Sequence, residues 1–217
     1  MNGVISEVRK IYNKHKNEIN KRLNNFKRIR ESKDEKKALY ELIFCIFTPQ
    51  SKAIHCWKCV EKIIERKLLL TNNPSGLLKL KEMNYIRFKN KKAKFAIEAK
   101  KKFIKNGKIK LLEFLSKFRD AYEMRQYLVD NIKGYGYKEA SHFLRNIGFI
   151  NDVTILDRHI LKNLKLMGVI KNIPESLTPQ LYCSIEEKMK SFSKKIKIPL
   201  AALDMVLWYK ETGIFFK

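Results

Sequence analysis

The chain has 217 residues, 45% of them hydrophobic and 11% aromatic, so it can bury a sizeable core and is not expected to be disordered. Its 47 Lys and Arg residues exceed its 22 Asp and Glu residues and give a net charge of +25, which opposes self-association and predicts a monomer that binds nucleic acid. A membrane partner is not expected, because no apolar run approaches the roughly 18–20 residues that span a bilayer and no secretory signal opens the chain.

Apolar residues recur three and four positions apart along most of the chain, which is the spacing of one face of an α-helix. The clearest faces are formed by Leu39, Leu42, Ile43, Ile46 and Phe47, by Ala140, Phe143, Leu144 and Ile147, and by Leu200, Leu203, Val206 and Leu207. Only the tetrapeptide 153–156 has the composition of a β-strand. Eight glycines and five prolines are too few for a turn-rich β fold, so the sequence predicts an all-α protein.

The four cysteines are too few for a disulfide scaffold and indicate a reducing, cytoplasmic compartment. Cys56 and Cys59 form a C-x-x-C pair, but they lie in a helical stretch and no second pair follows. Metal binding and redox chemistry are therefore not expected there. No cofactor and no metal are predicted.

A strongly basic segment runs from Arg87 to Lys110, with eleven Lys or Arg residues and one acid, Glu98. A solvated helix face and a phosphate-binding face both fit this composition. The second interpretation becomes the better one only if another feature brings DNA close to the segment.

That feature is the stretch from Asn131 to Ala140, where Gly134 and Gly136 separate two helical patterns. Glycines at this spacing allow a tight hairpin with positive φ and expose backbone amides at the start of the second helix. Together with the helix dipole, such amides bind a phosphate whatever the base. By itself, G-x-G between helices is also an ordinary turn of helical bundles.

The residues around the hairpin form a more specific pattern, NIKGYGYKEASHFLRNIG at 131–148 followed by TILDRHIL at 154–161. This pattern resembles the helix-hairpin-helix DNA glycosylases of the endonuclease III superfamily. Within it, GYGYKEASHFLRNIG, DRHIL and the ending WYKETGIFFK are most similar to the type 2 8-oxoguanine DNA glycosylases of archaea and some thermophilic bacteria. The stretches FCIFTPQ (44–50) and IRFKNKKAKFAI (86–97) extend the resemblance over nearly the whole chain.

The resemblance implies a bifunctional enzyme that excises 8-oxoguanine from duplex DNA and cleaves the abasic site by β-elimination. It also implies two helical lobes with an active-site cleft between them. We expect one lobe over 36–152, with the helix-hairpin-helix at about 120–148, and a second lobe made of 1–35 and 153–217. Lys138 and Asp157 would face each other across the cleft, with bent duplex DNA over its mouth.

By the resemblance, Lys138 is the nucleophile and Asp157 is the indispensable carboxylate of the lyase-competent members. A neutral lysine amine can attack the sugar C1′ and form a Schiff base, and a helix amino terminus disfavours a second cation at this position. Asp157 is also a natural N-cap for the helix that follows it. The two roles are compatible, because a capping carboxylate is held rigid by backbone amides.

Five further contacts with DNA are implied. Gln50 corresponds to the polar residue that related enzymes insert into the hole left by a flipped base, and Phe88 to an aromatic residue that packs against the opposite cytosine. Trp208 can stack on the flipped purine, and Asp204, one turn earlier, shares its face and needs a partner if it is buried. Lys217 would fold back to line the base pocket, although its position alone suggests a frayed tail.

Two alternatives remain open. The same fold could act on another lesion, such as an oxidised pyrimidine, or the chain could be a non-catalytic helix-hairpin-helix module that binds DNA or RNA. The module would have no use for a Lys–Asp pair at this spacing.

Several relatives hold an iron–sulfur cluster in a four-cysteine loop near the carboxyl terminus, whereas Cys183 is alone in that region and cannot hold one.

Overall fold

The computed structural model describes residues 2–70 and 74–216. Within them the α-helices are α1 (Asn2–Glu31), α2 (Glu35–Phe47), α3 (Ala53–Glu65), α4 (Pro74–Leu78), α5 (Lys89–Lys102), α6 (Leu111–Leu115), α7 (Ala121–Asn131), α8 (Tyr137–Asn146), α9 (Arg158–Leu166), α10 (Pro179–Ile196) and α11 (Leu200–Thr212). Short 3-10 helices span Leu68–Leu70 and Lys81–Tyr85, and strands β1 (Ile104–Lys105) and β2 (Lys108–Ile109) pair antiparallel. The predicted all-α class is confirmed. No helix in the described part is long and apolar enough to cross a membrane.

Side-chain caps and prolines set many of the helix ends. Asp34, Asp120 and Thr178 each accept hydrogen bonds from backbone amides in the first turns of α2, α7 and α10, which satisfies donors that a helix start leaves unpaired. Helix α2 ends at Phe47, two residues before Pro49, and Pro199 directly precedes α11. Thr48 still has helical dihedral angles, but Pro49 has no backbone N–H to continue the helix, and Pro199 stands at the N-cap of α11, where a missing N–H costs no helical hydrogen bond.

One compact unit spans Ile29–Phe143 and is built around α2. Helices α3, α5 and α6 contact α2, and every side chain from Ala38 to Phe47 except Tyr40 is buried. The sequence predicted one apolar face for this helix. The structure buries nearly its whole circumference, which is expected for a helix that other helices surround.

The second compact unit comprises the described residues of Met1–Arg28 and Leu144–Lys217. Helix α11 contacts both α9 and α10, and its residues from Leu200 to Leu207 are all buried. Helix α1 reaches α11 through a ring contact between His15 and Tyr209, whose centroids lie 4.7 Å apart. The domain bounds 36–152 and 1–35 plus 153–217 stay a prediction, because compactness does not establish which segments fold independently.

The strand expected at 153–156 is absent. This segment has no regular secondary structure, and three of its backbone groups bond to side chains of α10. The Thr154 amide donates to Glu186 Oε1 at 2.7 Å and the Leu156 amide to the Tyr182 hydroxyl at 3.2 Å. The same hydroxyl donates to the Thr154 carbonyl at 2.7 Å. The β-branched composition therefore reflects a buried segment whose backbone groups are satisfied without a sheet.

Candidate active site

The hairpin between α7 and α8 is present. Gly134 has φ +87°, and a Cβ added there would lie 3.0 Å from the Phe95 ring, so both backbone conformation and space favour glycine. The Tyr135 amide closes the turn on the Ile132 carbonyl, and the Tyr135 hydroxyl donates to the Leu42 carbonyl of α2 at 2.9 Å. The hairpin is thus fixed to the buried helix of its unit.

Gly136 differs from the expectation. Its φ is not in the positive range, and its amide donates to Glu139 Oε2 at 3.2 Å. A carboxylate three residues after a helix start commonly caps that start. The structure therefore engages this amide within the protein, where the sequence predicted a donor open to phosphate.

Lys138 occupies the first turn of α8, with 30% of its side chain exposed. Its Nζ lies 2.8 Å from Glu139 Oε1, so one carboxylate holds both the lysine and the Gly136 amide. Glu139 was not singled out from the sequence. The spacing G-x-x-E at 136–139 was the available signal, because it matches a helix-capping pattern.

Asp157 is the N-cap of α9. One of its carboxylate oxygens, Oδ1, accepts hydrogen bonds from the amides of His159 and Ile160, both at 2.8 Å. Its backbone is extended, as an N-cap requires. The capping role predicted from the sequence is confirmed, and the second oxygen takes no part in either of these two bonds.

Asp204 is buried on α11 and has the partner that a buried carboxylate needs. The guanidinium of Arg145 lies 3.4 Å from Asp204 Oδ2, and it also covers the Phe26 ring at 5.1 Å from its centroid. Burial raises the pKa of Asp204 to about 6, Arg145 opposes the rise, and Asp157 adds to it. Sequence reasoning missed Arg145, because no local pattern joins positions 59 residues apart.

This pKa predicts a pH-dependent stability. A carboxyl whose pKa rises from 3.8 to about 6 on folding stabilises the fold fully below pH 4, and that stabilisation is lost as the pH rises through 6. The free energy of unfolding of the wild type, minus that of Asp204→Asn, should fall by up to about 3 kcal/mol between pH 4 and pH 7. Urea unfolding of both proteins across this range measures the change. A constant difference would contradict the assignment.

Trp208 lies one turn after Asp204 and is half-buried. Its ring meets His159 edge-on, with centroids 5.3 Å apart, and its Nε1 has no hydrogen-bond partner among the described residues. Beyond α11, Gly213 turns the chain with φ +73° and Phe215 stacks on Tyr209 at 4.4 Å. The predicted site residue Lys217 lies outside the described residues.

Gln50 and Phe88 lie in one unit and share an uncommon conformation. Their φ values are +55° and +60°, in the left-handed region that residues other than glycine rarely adopt. Gln50 is exposed and Phe88 is 52% exposed, with the Arg87 guanidinium 5.0 Å from the Phe88 ring centroid. Exposed aromatic side chains and strained backbones of this kind concentrate at functional sites.

The basic segment is mostly surface, but two of its lysines are internal. Lys92 and Lys100 are buried, whereas Lys91, Lys94 and most of the others are exposed. The one acid of the segment, Glu98, pairs with the hairpin residue Lys133 at 3.0 Å. Lys110 pairs with Glu113, so up to eight cations of the segment remain for phosphates.

Binding to duplex DNA should weaken steeply with salt. If about 5–8 phosphates are neutralised, log K should fall with log salt at a slope of about −4.5 to −7, because each phosphate contact releases about 0.9 counterion. Binding titrations at salt concentrations between about 50 and 300 mM measure the slope. A slope near zero would contradict a phosphate-binding role for the basic segment.

The cysteines are free thiols, and burial raises the pKa of Cys56 to about 11 and that of Cys59 to about 12. Protonated thiols are poor metal ligands and poor nucleophiles. Over residues 2–70 and 74–216, no three His, Cys, Asp or Glu side chains are grouped to hold a metal ion.

The family model described as 8-oxoguanine DNA glycosylase matches residues 19–198. A Fusobacterium nucleatum protein named 8-oxoguanine DNA glycosylase/AP lyase is 43% identical over 100% of this chain and 99% of its own. The Thermotoga maritima 8-oxoguanine DNA glycosylase structure aligns with a TM-score of 0.84 at 30% identity over 100% of both chains. The Methanocaldococcus jannaschii 8-oxoguanine glycosylase/lyase, solved in complex with DNA containing 8-oxoguanine, aligns with a TM-score of 0.84 at 33% identity over 98% of this chain and 99% of that one.

Proposed function

The chain belongs to the 8-oxoguanine DNA glycosylase family, and we propose that it excises 8-oxoguanine from duplex DNA and then cleaves the abasic site. The proposal rests above all on Lys138, which occupies the first turn of α8 directly after the hairpin. Relatives that match over nearly the full length are named 8-oxoguanine DNA glycosylase/AP lyase. The protein would act as a monomer in the cytoplasm, associated with the nucleoid.

In the proposed reaction the neutral amine of Lys138 attacks the sugar C1′ as the bond to the base breaks. Glu139, with Oε1 2.8 Å from Nζ, is in place to accept the ammonium proton beforehand. The departing base takes up a proton, and the lysine is left joined to the opened sugar as a Schiff base. Loss of a C2′ proton then breaks the C3′–O bond, and water hydrolyses the imine to release Lys138.

Asp157 is the proposed counter-charge. As the base departs, the sugar acquires oxocarbenium character, and a fixed carboxylate stabilises that charge without reorganising. The two amides that bind Oδ1 fix the orientation of the side chain, which supports this role. The orientation of the Asp157 side chain that caps α9 is thus also the one proposed for catalysis.

Recognition of the damaged base is proposed for the end of the chain. Trp208 offers a partly open aromatic surface for stacking, worth about 1–3 kcal/mol per base. Asp204 and its partner Arg145 provide a fixed polar group one turn away. Gln50 and Phe88 would fill the hole in the duplex and contact the cytosine opposite the lesion.

Single-turnover excision from a duplex with 8-oxoguanine opposite cytosine, with borohydride trapping, tests the proposal. We expect base release, strand cleavage and a covalent complex of protein and DNA. A panel with oxidised pyrimidines is the control, and excision of those lesions with 8-oxoguanine left intact would reassign the substrate. Binding without excision on any lesion would instead support a non-catalytic module.

Deleting Lys217 should impair 8-oxoguanine excision far more than cleavage of a preformed abasic site, because an abasic site has no base to read. Phe215, two positions before Lys217, packs on Tyr209 and His15 and so anchors the chain near its end. Rates on both substrates measure the effect. Equal losses would indicate general destabilisation, and unchanged rates would remove Lys217 from the base pocket.

A further inference from the structure

Lys92 is used inside the protein, although it belongs to the basic segment. It lies on α5 with 5% of its surface exposed. Its Nζ lies 2.7 Å from the Phe47 carbonyl oxygen, 2.6 Å from the Pro49 carbonyl oxygen and 3.2 Å from Ser51 Oγ. An ammonium has three N–H donors, so these three acceptors match it in number.

The acceptors lie where α2 ends and the chain turns towards α3. A helix leaves its last carbonyls without helical partners. Lys92 donates to the carbonyl of Phe47, the last residue of α2, and to that of Pro49, two residues later. Gln50 lies within this turn, between the Pro49 carbonyl and the Ser51 hydroxyl. The ammonium therefore fixes the backbone on both sides of Gln50.

Ser51 extends the same contact to a second segment. Its Oγ accepts a hydrogen bond from the Arg87 amide at 3.0 Å, in addition to the one from Lys92. Phe88 follows Arg87 directly. A cluster made of Lys92 Nζ and Ser51 Oγ thus joins the two segments that present Gln50 and Phe88, 38 positions apart in the chain.

Both segments need an external restraint. Gln50 and Phe88 have left-handed backbones, and such conformations in residues other than glycine persist only where surrounding contacts impose them. The Lys92–Ser51 cluster contacts the chain beside both strained residues. A surface turn without that cluster would relax towards an ordinary conformation and move its side chain.

We propose that Lys92 and Ser51 are positioning residues which hold Gln50 and Phe88 at a fixed separation, so that the two side chains engage the duplex together where the base has been flipped. This inference rests on the proposed function. It adds a residue pair that touches no DNA but sets the spacing of two residues that do.

The charge state of Lys92 gives the cluster a pH dependence. Burial lowers the pKa of Lys92 to about 8; Cys56 on α3 and Glu139 on α8 oppose this, and Lys138 on α8 adds to it. At pH 9 roughly nine-tenths of the amine would then be neutral. A neutral amine has only two N–H donors for the three acceptors, so the cluster should loosen above pH 8.

A double-mutant cycle tests the positioning role. Ser51→Ala should lower single-turnover excision about tenfold in the wild type and less than about twofold where Gln50 and Phe88 are already alanine, because coupled residues are not additive. Ser116→Ala is the matched control, since this serine is exposed and its hydroxyl donates to the Glu113 carbonyl of its own turn. Equal losses in both backgrounds, or no loss in the wild type, would overturn the inference. A wild type that excises no lesion would instead overturn the proposed function itself.

The pH dependence is tested by binding in a Lys138→Gln background, where turnover does not interfere. A fluorescent cytosine analogue opposite 8-oxoguanine reports how the opposite base is stacked. We expect its emission change on binding to fall by at least about half between pH 7 and pH 9, following the Lys92 titration. With Lys92→Met added, the change should be small and independent of pH, whereas Lys79→Met, at an exposed position outside the basic segment, should behave like the background. A pH response that survives Lys92→Met would overturn the role of this amine.

Discussion

Lys138→Gln is expected to abolish both base excision and strand cleavage, with single-turnover rates lower by roughly a thousandfold or more, since the substitution removes the proposed nucleophile. An amide cannot form a Schiff base, so borohydride should trap no covalent complex. Duplex binding should stay near that of the wild type, because the hairpin fixed by Gly134 and Tyr135 and the exposed part of the basic segment are unchanged. Glutamine also retains a donor that can reach Glu139, which keeps the first turn of α8 in place.

The measurement is a gel assay of excision, cleavage and trapping on one 8-oxoguanine duplex, with binding followed by fluorescence anisotropy. Lys79→Gln is the matched control, because Lys79 is exposed and lies outside the basic segment. It should retain the activity of the wild type. Trapping of the Lys138→Gln protein at the level of the wild type would show that another amine is the nucleophile.

Asp157→Asn should lower the rate of excision by about two or more orders of magnitude, which is typical when a group that stabilises transition-state charge is lost. The free energy of unfolding should stay nearly unchanged. Asparagine caps a helix about as well as aspartate, so α9 should keep its start. Removing the cap altogether in Asp157→Ala should cost about 1 kcal/mol, which lowers Tm by roughly 2–4 °C in a protein of this size. Activity and stability are therefore separable at this position.

Asp120→Asn is the control with the same geometry. Asp120 caps α7 through one carboxylate oxygen, Oδ1, that accepts from the amides of Tyr122 and Glu123, as Asp157 does on α9. The replacement should change neither Tm nor excision. If Asp157→Asn lowers Tm strongly while the folded fraction excises at the wild-type rate, the Asp157 carboxylate has only a structural role.

Local patterns predicted much of what the structure contains. The capping carboxylate of Asp157, the hairpin at Gly134 and the end of α2 before Pro49 all follow from interactions within a few residues. The family could be recognised for the same reason, since its motifs are short and contiguous. The all-α class followed from helical periodicity along the chain.

Contacts between distant positions could not be predicted in this way. The pairing of Arg145 with Asp204 and that of Lys92 with the turn after α2 join residues more than 40 positions apart. Their partners are decided by how helices pack, which a single sequence does not record. The composition of 153–156 is that of a strand because composition indicates burial, but it does not indicate which groups satisfy the backbone amides.

The segment 153–156, which leads into Asp157, is held by hydrogen bonds to Tyr182 and Glu186. Both residues lie on α10, outside the stretch TILDRHIL. A sequence search that scores only TILDRHIL would accept a protein that lacks both of these side chains. Substitutions at Tyr182 and Glu186 are therefore expected to shift the backbone before Asp157, as substitutions within the stretch itself would.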